Sequence, residues 1–592
     1  MSDSELAHDV VSQWNATVAA TPERTAIVDD GRDFSYAEVD ARARSVTAWL
    51  LAAGVRPEDR VVLCAERGFG WLSSVLGILG SGAAFVPVNV HLLHERVAGI
   101  LARAGARAAV VDDKGARLLT SRVGTMVNLC ELREARAAGT ATLLAPPRRT
   151  LAYVVFTSGS SGSPKGVMIE HAALGNTVRE AVRVYGLNAL DRVLQFSDLG
   201  FDTAFEEIFP VWAIGGAVVV RRPETVSSAA AFWGFCVENA VTVVDLTPAF
   251  WQLLVSTAVM DASLIGQVRL VILGGDRLAA SSVAAWQASP ELAARCRLMT
   301  SYGPTEAAII VTAGPAAPVQ GPHGLVHEIP IGEPIGEVDL RVTASTGELH
   351  ISGVNLARGY LDDPRSTADR FRPNPHGHTG ERVYLSGDIA RIAPDGRITV
   401  HGRLDRQVKI RGYRVDLNEI ELELIRLPAV QASAVCAVED ENGAKTLVAF
   451  VTGPDPSSAT NLNQALRTRL PDYALPDRTI ARDRLPLTDR GKIDYTLLVA
   501  EAMPGVAAAT GSPAQRTVLG IMRELLDRPD LSESDDFFEA GGHSILSMHL
   551  VARLADELGV EVDLLRFFLE PTGLGIEAQI KHQKGVVGDG TD

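Results

Sequence analysis

The chain has 592 residues, which predicts several domains, since one domain takes roughly 100–200 residues. Apolar residues make up 46% and charged residues 22%, values of a folded globular protein that exclude disorder or a coiled coil as the main state. The net charge of −16 and the lack of a long Lys/Arg block argue against nucleic acid or an anionic membrane as a partner.

The N-terminus and the cysteines indicate a cytoplasmic protein. The first ten residues lack the apolar core of a secretory signal. Five widely separated cysteines without a CxxC pair are typical of reduced thiols and argue against a zinc site or a disulfide framework. The uncharged stretch 68–93 is interrupted by glycine and proline, so we expect a buried helix, a turn and a strand there instead of a membrane span.

Up to about residue 400, short β-branched runs alternate with Ala/Leu-rich segments of helical period, which favours stacked α/β layers. Strands are predicted at Arg60–Cys64, Ala108–Val111, Ala217–Val220 and Val268–Leu273. A stretch rich in hairpins follows, with a turn at Asp395-Gly396. Its predicted strands are Leu349–Ser352, Val383–Leu385, Ile398–Val400 and Val408–Ile410.

The last third of the chain contains a smaller α/β pattern, then a linker and then a helical segment. A smaller α/β pattern covers Leu417–Leu427, Ala434–Val438 and Leu447–Val451. The uncharged, small-residue run 503–515 has the composition of a linker. Residues 512–585 are acidic and begin with an amphipathic helix marked by Val518, Ile521, Leu525 and Leu526, so we expect a small helical domain.

A glycine-rich loop is the first candidate site. The buried strand Tyr153–Phe156 runs into TSGSSGSPKG, residues 157–166, where glycines permit close backbone approach and Lys165 supplies a positive charge. Hydroxyls and amides of this kind bind phosphate oxygens, although the spacing is not that of a Walker A loop. Taken alone, a flexible surface loop explains the run equally well.

The loop does not stand alone, because further motifs follow in order. They are FDTAFEE (201–207), SYGPTE (301–306), GELHISG (347–353), ARGY (357–360), YLSGD (384–388), GRLDRQVKIRG (402–412), LPDYALP (470–476) and RGKID (490–494). Over residues 10–500 the chain resembles the adenylate-forming ligases, in particular adenylation domains of nonribosomal peptide synthetases. Ser301, Ser386 and Asn89 depart from the residues usual in that family.

The resemblance implies a role for each motif residue. Thr157, Ser158, Gly159, Ser160, Ser161 and Lys165 would hold the β- and γ-phosphates of ATP. Tyr302 would stack on adenine, Thr305 would contact the α-phosphate, Glu306 would hold Mg²⁺, Asp388 would bind the ribose hydroxyls, and Arg403 would lie near ribose and phosphate. Lys492 would be the catalytic lysine that bridges the substrate carboxylate and the α-phosphate, with Lys165 and Glu306 assisting.

Asp405 matches the family's hinge between a large and a small domain. The small domain would present Lys492 for adenylation and then, after rotation, the Lys409 segment for thioester formation. A plain turn residue is the alternative interpretation of Asp405.

A second resemblance begins at DDFFEAGGHSIL, residues 535–546, which is similar to the prosthetic-group site of peptidyl carrier proteins. Ser544 would carry 4′-phosphopantetheine, whose thiol can hold an acyl group as a thioester. A simple helix cap is the alternative role for this serine.

The family's substrate-pocket positions fall on Asp202, Thr203, Glu206, Asp245, Ile272, Gly274, Ser301, Ile309, Ile310 and Lys492. Asp202 pairs with the substrate amino group in amino-acid-activating members. Glu206 and Asp245 are acidic, and a carboxylate buried without a partner is costly, so a cationic substrate side chain is the natural complement. The set indicates lysine or β-lysine, with ornithine or arginine as alternatives, unless Glu206 faces away or the protein itself neutralises Asp245.

We therefore expect an α/β multidomain enzyme with a core of stacked α/β layers (1–404), a small α+β subdomain (405–502), a linker (503–511) and a four-helix carrier domain (512–585). It would use ATP and Mg²⁺ to load an amino acid onto its own arm for nonribosomal peptide or antibiotic biosynthesis. A phosphopantetheinyl transferase and a downstream condensation-type enzyme or domain are the expected partners, the second because no condensation or thioesterase segment is evident. An MbtH-like protein is a further candidate whose need the sequence leaves open. An acyl-CoA ligase and an inactive docking scaffold are the rival hypotheses.

Overall fold

The computed structural model describes most of the chain. The described residues are 9–92, 94–119, 123, 125–130, 141–157, 164–256, 263–320, 327–393, 395–410, 412–428, 430–439, 445–453, 462, 465–486, 493–502, 517–526, 531–537, 547, 550–551, 553–554, 558, 562, 567 and 570–586. Several predicted features lie outside them, namely Ser158, Gly159, Ser160, Ser161, Lys492, Ser544 and the linker 503–511.

The chain separates into two compact units, one made of residues 1–221 and 233–419 and the other of residues 222–232 and 420–592. The domain limits expected from the sequence are not tested by this division and stay predictions.

Helices account for much of both units. The α-helices are α1 (Val10–Ala20), α2 (Tyr36–Ala52), α3 (Phe69–Gly80), α4 (His94–Ala104), α5 (Asp113–Leu119), α6 (His171–Tyr185), α7 (Thr203–Ala213), α8 (Ala229–Glu238), α9 (Pro248–Ser256), α10 (Ala280–Gln287), α11 (Pro290–Arg295), α12 (Pro364–Arg370), α13 (Leu417–Ile425), α14 (Tyr495–Ala502), α15 (Val518–Leu526) and α16 (Gly573–Val586). Short 3₁₀ helices occur at Pro223–Val226, Thr305–Ala307 and Asp472–Ala474.

The first unit is built on two large sheets. Their strands are β1 (Thr25–Asp29), β2 (Arg32–Ser35), β3 (Arg60–Cys64), β4 (Ala84–Pro87), β5 (Ala108–Val111), β6 (Met126–Asn128), β7 (Leu151–Thr157), β8 (Lys165–Glu170), β9 (Arg192–Gln195), β10 (Ala217–Val220), β11 (Val243–Leu246), β12 (Leu270–Leu273), β13 (Arg297–Tyr302), β14 (Thr312–Pro315), β17 (Glu333–Pro334) and β20 (Gly359–Tyr360). One sheet has the order β17-β14-β13-β12-β11-β9-β10-β1-β2 and the other β20-β8-β7-β4-β3-β5-β6. Their central strands are parallel and buried apart from the first residues of β3, β9 and β13, as expected for strands covered by helices on both faces.

Three smaller sheets complete the first unit. The remaining strands there are β15 (Val319–Gln320), β16 (His327–Glu328), β18 (Val338–Val342), β19 (Glu348–Gly353), β21 (Phe371–Pro373), β22 (Arg382–Ile392), β23 (Ile398–Arg403), β24 (Gln407–Ile410) and β25 (Tyr413–Asp416). Strands β18-β19-β22-β21 form an antiparallel sheet that β23 joins through β22. The pairs β15-β16 and β24-β25 are separate hairpins.

The second unit contains the antiparallel pair β26 (Ala432–Glu439) and β27 (Lys445–Thr452), which β28 (Arg478–Ala481) extends in parallel. Residues of α14 pack on this sheet in a small apolar core. A separate core forms around Val518, Ile521 and Phe537. The expected α/β multidomain fold and the strands predicted from sequence are confirmed, while a count of four carrier helices falls partly outside the described residues.

Helix α7 lies between the two large sheets, and this placement makes it the centre of the first unit. The ring of Phe205 meets Phe85 of β4 and Tyr153 of β7 edge-on, each at 5.0 Å between centroids. On the other side the Trp212 indole donates to the Ala26 carbonyl of β1 at 2.9 Å. Every residue from 204 to 213 is buried, so the two glutamates of this helix are buried as well.

A left-handed turn follows the Thr305–Ala307 helix. Ala308 and Ile309 have φ of 53° and 77°, which is a strained conformation for a β-branched residue. The surrounding side chains hold the turn: Thr177 donates to the Ala308 carbonyl at 2.7 Å, and Asn355 Nδ2 donates to the Ile310 carbonyl at 3.0 Å. Asn355 is 1% exposed, so its hydrogen bonds form away from water.

We expect Asn355→Ala to lower the free energy of unfolding by about 1–3 kcal/mol, because the buried Ile310 carbonyl loses its donor. Denaturant unfolding followed by tryptophan fluorescence measures this. Asn374→Ala is the matched control, since Asn374 serves only an exposed turn at His376 and should change stability by less than about 0.5 kcal/mol. Equal effects of the two substitutions would show that Asn355 does not hold the turn.

Candidate active site

The predicted pocket residues meet at one edge of the nine-stranded sheet. Strands β11, β12 and β13 are parallel neighbours in which Asp245 pairs with Ile272 and Ile272 pairs with Met299. Ser301 comes two residues after Met299, towards the carboxyl end of β13. Because the carboxyl ends of parallel strands share an edge, these side chains lie close to the start of α7, where the chain carries Asp202 and Thr203.

Asp202 is buried at the N-cap of α7 and is only half satisfied. Its Oδ1 accepts a hydrogen bond from the Thr305 hydroxyl at 3.2 Å, whereas its Oδ2 is buried and has no hydrogen-bond partner among the described residues. Burial raises the pKa of this carboxyl to about 6, although the Thr305 hydroxyl opposes the shift.

The neighbouring glutamates of α7 have different partners. Glu207 accepts hydrogen bonds from Gln195 Nε2 at 2.8 Å and from the amides of Phe196 and Ser197 at 3.1 and 2.9 Å, so it fixes the segment after β9. Glu206 instead accepts a hydrogen bond from the hydroxyl of Tyr185, the last residue of α6. Glu207 thus has a structural role, whereas Glu206 contacts the end of α6 and not the segment after β9.

Asp245 completes an acidic cluster with Glu206. Asp245 is 7% exposed, and its Oδ2 is another buried oxygen without a partner in the described part of the chain. Burial is the main cause that raises the pKa of Asp245 well above its usual value, and Glu206 adds to it. Burial likewise raises the pKa of Glu206 to about 8, against the opposing hydrogen bond from Tyr185. Among the described residues, no cation is found with the groups that shift the pKa values of these two carboxyls.

The apolar part of the pocket comes from Ile272, Ile309 and Ile310, each less than 5% exposed. Gly274 adjoins Ser301, whose hydroxyl occupies the space that a Cβ at position 274 would need. The glycine therefore makes room for the Ser301 side chain as well as for depth in the pocket.

A second group of predicted residues gathers around Asp388 in β22. Its Oδ1 pairs with Arg403 at 2.5 Å, and its Oδ2 accepts a hydrogen bond from the Tyr302 hydroxyl. Arg403 also pairs with Asp405 at 2.8 Å, and Asp405 is bound in turn by Arg370 at 3.0 Å. Asp388, Arg403 and Tyr302 thus form one network, and the predicted hinge residue is tied to it.

Glu306 pairs with a residue that the sequence did not single out. Arg414 of β25 lies 2.8 Å from its Oε2, and the Tyr360 hydroxyl donates to its Oε1 at 2.9 Å. Burial favours the neutral form of Glu306, but Arg414 and the tyrosine hydroxyls together hold its pKa below the usual value. Lys165 lies nearby, with its ammonium 5.4 Å from the centroid of the Tyr360 ring.

The hairpin β24-β25, which carries Arg414, covers this part of the site. The Lys409 ammonium is 5.4 Å from the Tyr302 ring centroid, and the Tyr413 ring is 4.9 Å from that of Phe201. Gly412, with φ of 85°, touches Thr247, and a Cβ at position 412 would overlap that side chain at 2.5 Å. Sequence composition and spacing could not have identified Arg414 or Tyr185 as site residues. Their partners, Glu306 and Glu206, lie more than 20 residues away in sequence and on other elements.

Comparison with known proteins agrees with this geometry. Residues 14–361 match the AMP-binding enzyme family, residues 419–492 its C-terminal domain, and residues 516–575 a phosphopantetheine attachment site. A linear gramicidin synthase of Brevibacillus parabrevis is 32% identical over 96% of this chain, and the isonitrile lipopeptide synthase of Streptomyces coeruleorubidus is 34% identical over 94%. The chain spans only 7% and 39% of those two proteins.

Among solved structures, that of holo-PA1221, a nonribosomal peptide synthetase protein containing adenylation and PCP domains and bound to a vinylsulfonamide inhibitor, aligns with a TM-score of 0.77 and 25% identity. The alignment covers 96% of this chain and 98% of that one. Within the described part of the chain, no helix is long and apolar enough to cross a bilayer.

These matches define the class of protein, an AMP-binding enzyme joined to a phosphopantetheine attachment domain. The chain belongs to the AMP-binding enzyme family and carries the adenylation–carrier arrangement of nonribosomal peptide synthetases.

The Arg414–Glu306 pair predicts a pH-dependent effect of Arg414→Met. Glu306 is 2% exposed, so removing the cation strands a buried carboxylate and should cost about 3–5 kcal/mol of unfolding free energy at neutral pH. In the parent the lowered pKa of Glu306 contributes stability above its unfolded pKa that is lost as pH falls. In the variant burial raises the pKa instead, so protonation relieves the deficit as pH falls towards 5.

Chemical denaturation across a pH series measures this deficit. Arg414→Met/Glu306→Gln should recover most of the stability, because the amide needs no cation. A deficit that is constant with pH and unchanged by the second substitution would contradict an ion pair as its cause.

Proposed function

We propose that this enzyme activates a lysine-type amino acid, lysine or β-lysine, and loads it onto its own carrier domain. The observation that carries the substrate class is the pair of buried, unpartnered carboxylate oxygens, one on Asp202 and one on Asp245 beside Glu206. An acidic cavity without a cation is costly, and a diamino acid offers an ammonium group for each end. A neutral side chain would leave the buried Asp245 Oδ2 without a partner and Glu206 with the Tyr185 hydroxyl alone.

Each end of the substrate would then have its own partner. Asp202 would bind the amino group near the carboxylate, while Glu206 and Asp245 would bind the distal ammonium and the isoleucines would line the alkyl chain. Because burial raises the pKa of Glu206 to about 8, the free pocket holds protons that the cation displaces. Ornithine or arginine would also supply a cation to these carboxylates, but at a different distance from the substrate carboxylate.

The nucleotide would bind on the opposite, cationic side of the site. Lys165, with Thr157 at the end of β7 and the loop residues 158–161, would bind the phosphates, while Asp388 and Tyr302 would take the nucleoside. Glu306 would hold Mg²⁺, since one carboxylate together with ATP phosphates suits that ion, which supplies charge neutralisation at the phosphates.

The proposed chemistry has two steps. A substrate carboxylate oxygen attacks the α-phosphorus and the bond to the β-phosphate breaks, which forms aminoacyl-AMP and releases pyrophosphate; Lys492 would stabilise the charge that develops. The pantetheine thiol, as thiolate, then attacks the acyl carbon and AMP leaves. If the hairpin that carries Lys409 and Arg414 serves the second step, Arg414 would have to leave Glu306 before Mg²⁺ can use that carboxylate.

A phosphopantetheinyl transferase is the partner that would load Ser544, and a condensation-type enzyme would consume the thioester. An MbtH-like protein is a further candidate partner.

Substrate-dependent ATP–pyrophosphate exchange tests the substrate class. Norleucine has the chain of lysine without its charge, so it should be at least about a hundredfold poorer than lysine or β-lysine, as loss of one partner of a buried charge pair costs about 3–5 kcal/mol. Glu206→Gln and Asp245→Asn should each reduce lysine exchange roughly ten- to a hundredfold and narrow the gap to norleucine.

Glu180→Gln is the matched control, because Glu180 is also largely buried but pairs with Arg183 on the outer side of α6. Its exchange should stay within about twofold of the parent. Equal exchange with lysine and norleucine by the parent would contradict the cationic pocket but not the proposed adenylation chemistry.

Carrier loading is tested by mass spectrometry. Incubation with coenzyme A and a phosphopantetheinyl transferase should add the mass of a single phosphopantetheine, and Ser544→Ala should abolish the addition while pyrophosphate exchange persists. Ser534→Ala, an exposed serine of the same segment, should be loaded like the parent. A parent protein of unchanged mass, or loading of the Ser544 variant, would contradict the assignment of Ser544.

A further inference from the structure

Tyr185 lies outside every sequence motif, yet it contacts the acidic cluster directly. It is the last residue of α6 and is 1% exposed, and its hydroxyl donates to Glu206 Oε1. Its backbone carbonyl accepts a hydrogen bond from the Arg297 guanidinium at the start of β13, the strand that ends in the pocket. Gly186, with φ of 59°, ends the helix at this point, so the helix end and Arg297 together fix the backbone of Tyr185.

The hydroxyl has a physical consequence for Glu206. Asp202 and Glu206 are four residues apart on α7 and therefore share a face of that helix. A hydrogen bond to one oxygen of Glu206 fixes the carboxylate plane and leaves the other oxygen for a further donor. The donor also favours the ionised carboxylate, which is the form that attracts a cation.

We propose that Tyr185 is a specificity-determining positioning residue, which orients Glu206 and stabilises its ionised form when a cationic substrate side chain binds. This rests on the proposed lysine-type substrate. Tyr185 acts through Glu206 and takes no part in the attack on phosphorus, so its effect is confined to substrate selection.

The charged groups around Glu206 act in one direction. Burial is the largest cause that raises the pKa of Glu206, and Glu207 and Asp202 on its own helix add to it. Glu206 in turn raises the pKa of Asp245 on β11, while Arg67 faces Glu207. The Tyr185 hydroxyl is the group that opposes them at Glu206. Removing it should shift the ionisation of Glu206, and hence lysine binding, to higher pH.

Tyr185→Phe removes the hydroxyl and keeps the ring. We expect the KM for lysine to rise roughly ten- to a hundredfold, the loss of one hydrogen bond to a charged group, with kcat changed less than about twofold. The KM values for ATP and for norleucine should not change, and the pH above which the KM for lysine is lowest should move upwards. In a Glu206→Gln background Tyr185→Phe should have little further effect, which a double-mutant cycle measures.

A second measurement needs no substrate. Because the folded pKa of Glu206 lies above its unfolded value, this carboxyl lowers stability as pH rises from about 4.5 to about 8. In Tyr185→Phe the loss should continue above pH 8, and the Glu206→Gln background should abolish that additional slope. Chemical denaturation of the full chain across this range gives the slope.

The outcomes separate the two proposals. If the parent prefers lysine to norleucine but Tyr185→Phe leaves the KM for lysine and its pH profile unchanged, the role of Tyr185 is wrong and the lysine pocket stands. If exchange with lysine and norleucine falls by the same factor in Tyr185→Phe, the residue is merely structural and the proposal fails. If the parent does not discriminate, the cationic pocket fails and this proposal falls with it, whatever the slope shows.

Discussion

The burial of acidic side chains on one helix is the constraint around which the first unit is organised. Helix α7 lies between two sheets with every residue from 204 to 213 buried, and it nevertheless carries Glu206 and Glu207. Desolvating a carboxylate is costly, so each requires a partner. Glu207 accepts hydrogen bonds from two backbone amides and from Gln195, so it stabilises the segment after β9. Glu206 accepts one hydrogen bond, from a phenolic hydroxyl, and its other oxygen can accept one from a ligand.

The buried carboxylates of the site differ in whether the protein itself supplies their partners. On the nucleotide side the acidic residues are matched within the protein: Asp388 pairs with Arg403, and Glu306 pairs with Arg414. On the substrate side Asp202 and Asp245 each keep a buried oxygen without a partner among the described residues. Under the proposed function, the substrate side would bind a cationic amino acid, because its buried carboxylate oxygens have no hydrogen-bond partner among the described residues.

A single turn connects the nucleotide side and the substrate side. Thr305 bonds Asp202 on the substrate side, and the adjacent Glu306 bonds Arg414 on the nucleotide side. Directly afterwards comes the left-handed backbone at Ile309, and Asn355 supports that turn from a neighbouring segment. The contact to Asp202 and the contact to the hairpin that carries Arg414 therefore come from adjacent residues of one turn.

The sequence by itself determined the class of fold, the strands and the motif residues, because β-branched runs, glycine turns and ordered motifs are local signals. It also placed Glu206 and Asp245 among the pocket positions, but it left open whether Glu206 faced the pocket and whether Asp245 was neutralised. Only the tertiary structure decided that Glu207 takes the backbone amides, that Tyr185 reaches Glu206, and that Arg414 occupies Glu306. These contacts join elements far apart in the chain, and their energies depend on burial, which no local pattern encodes.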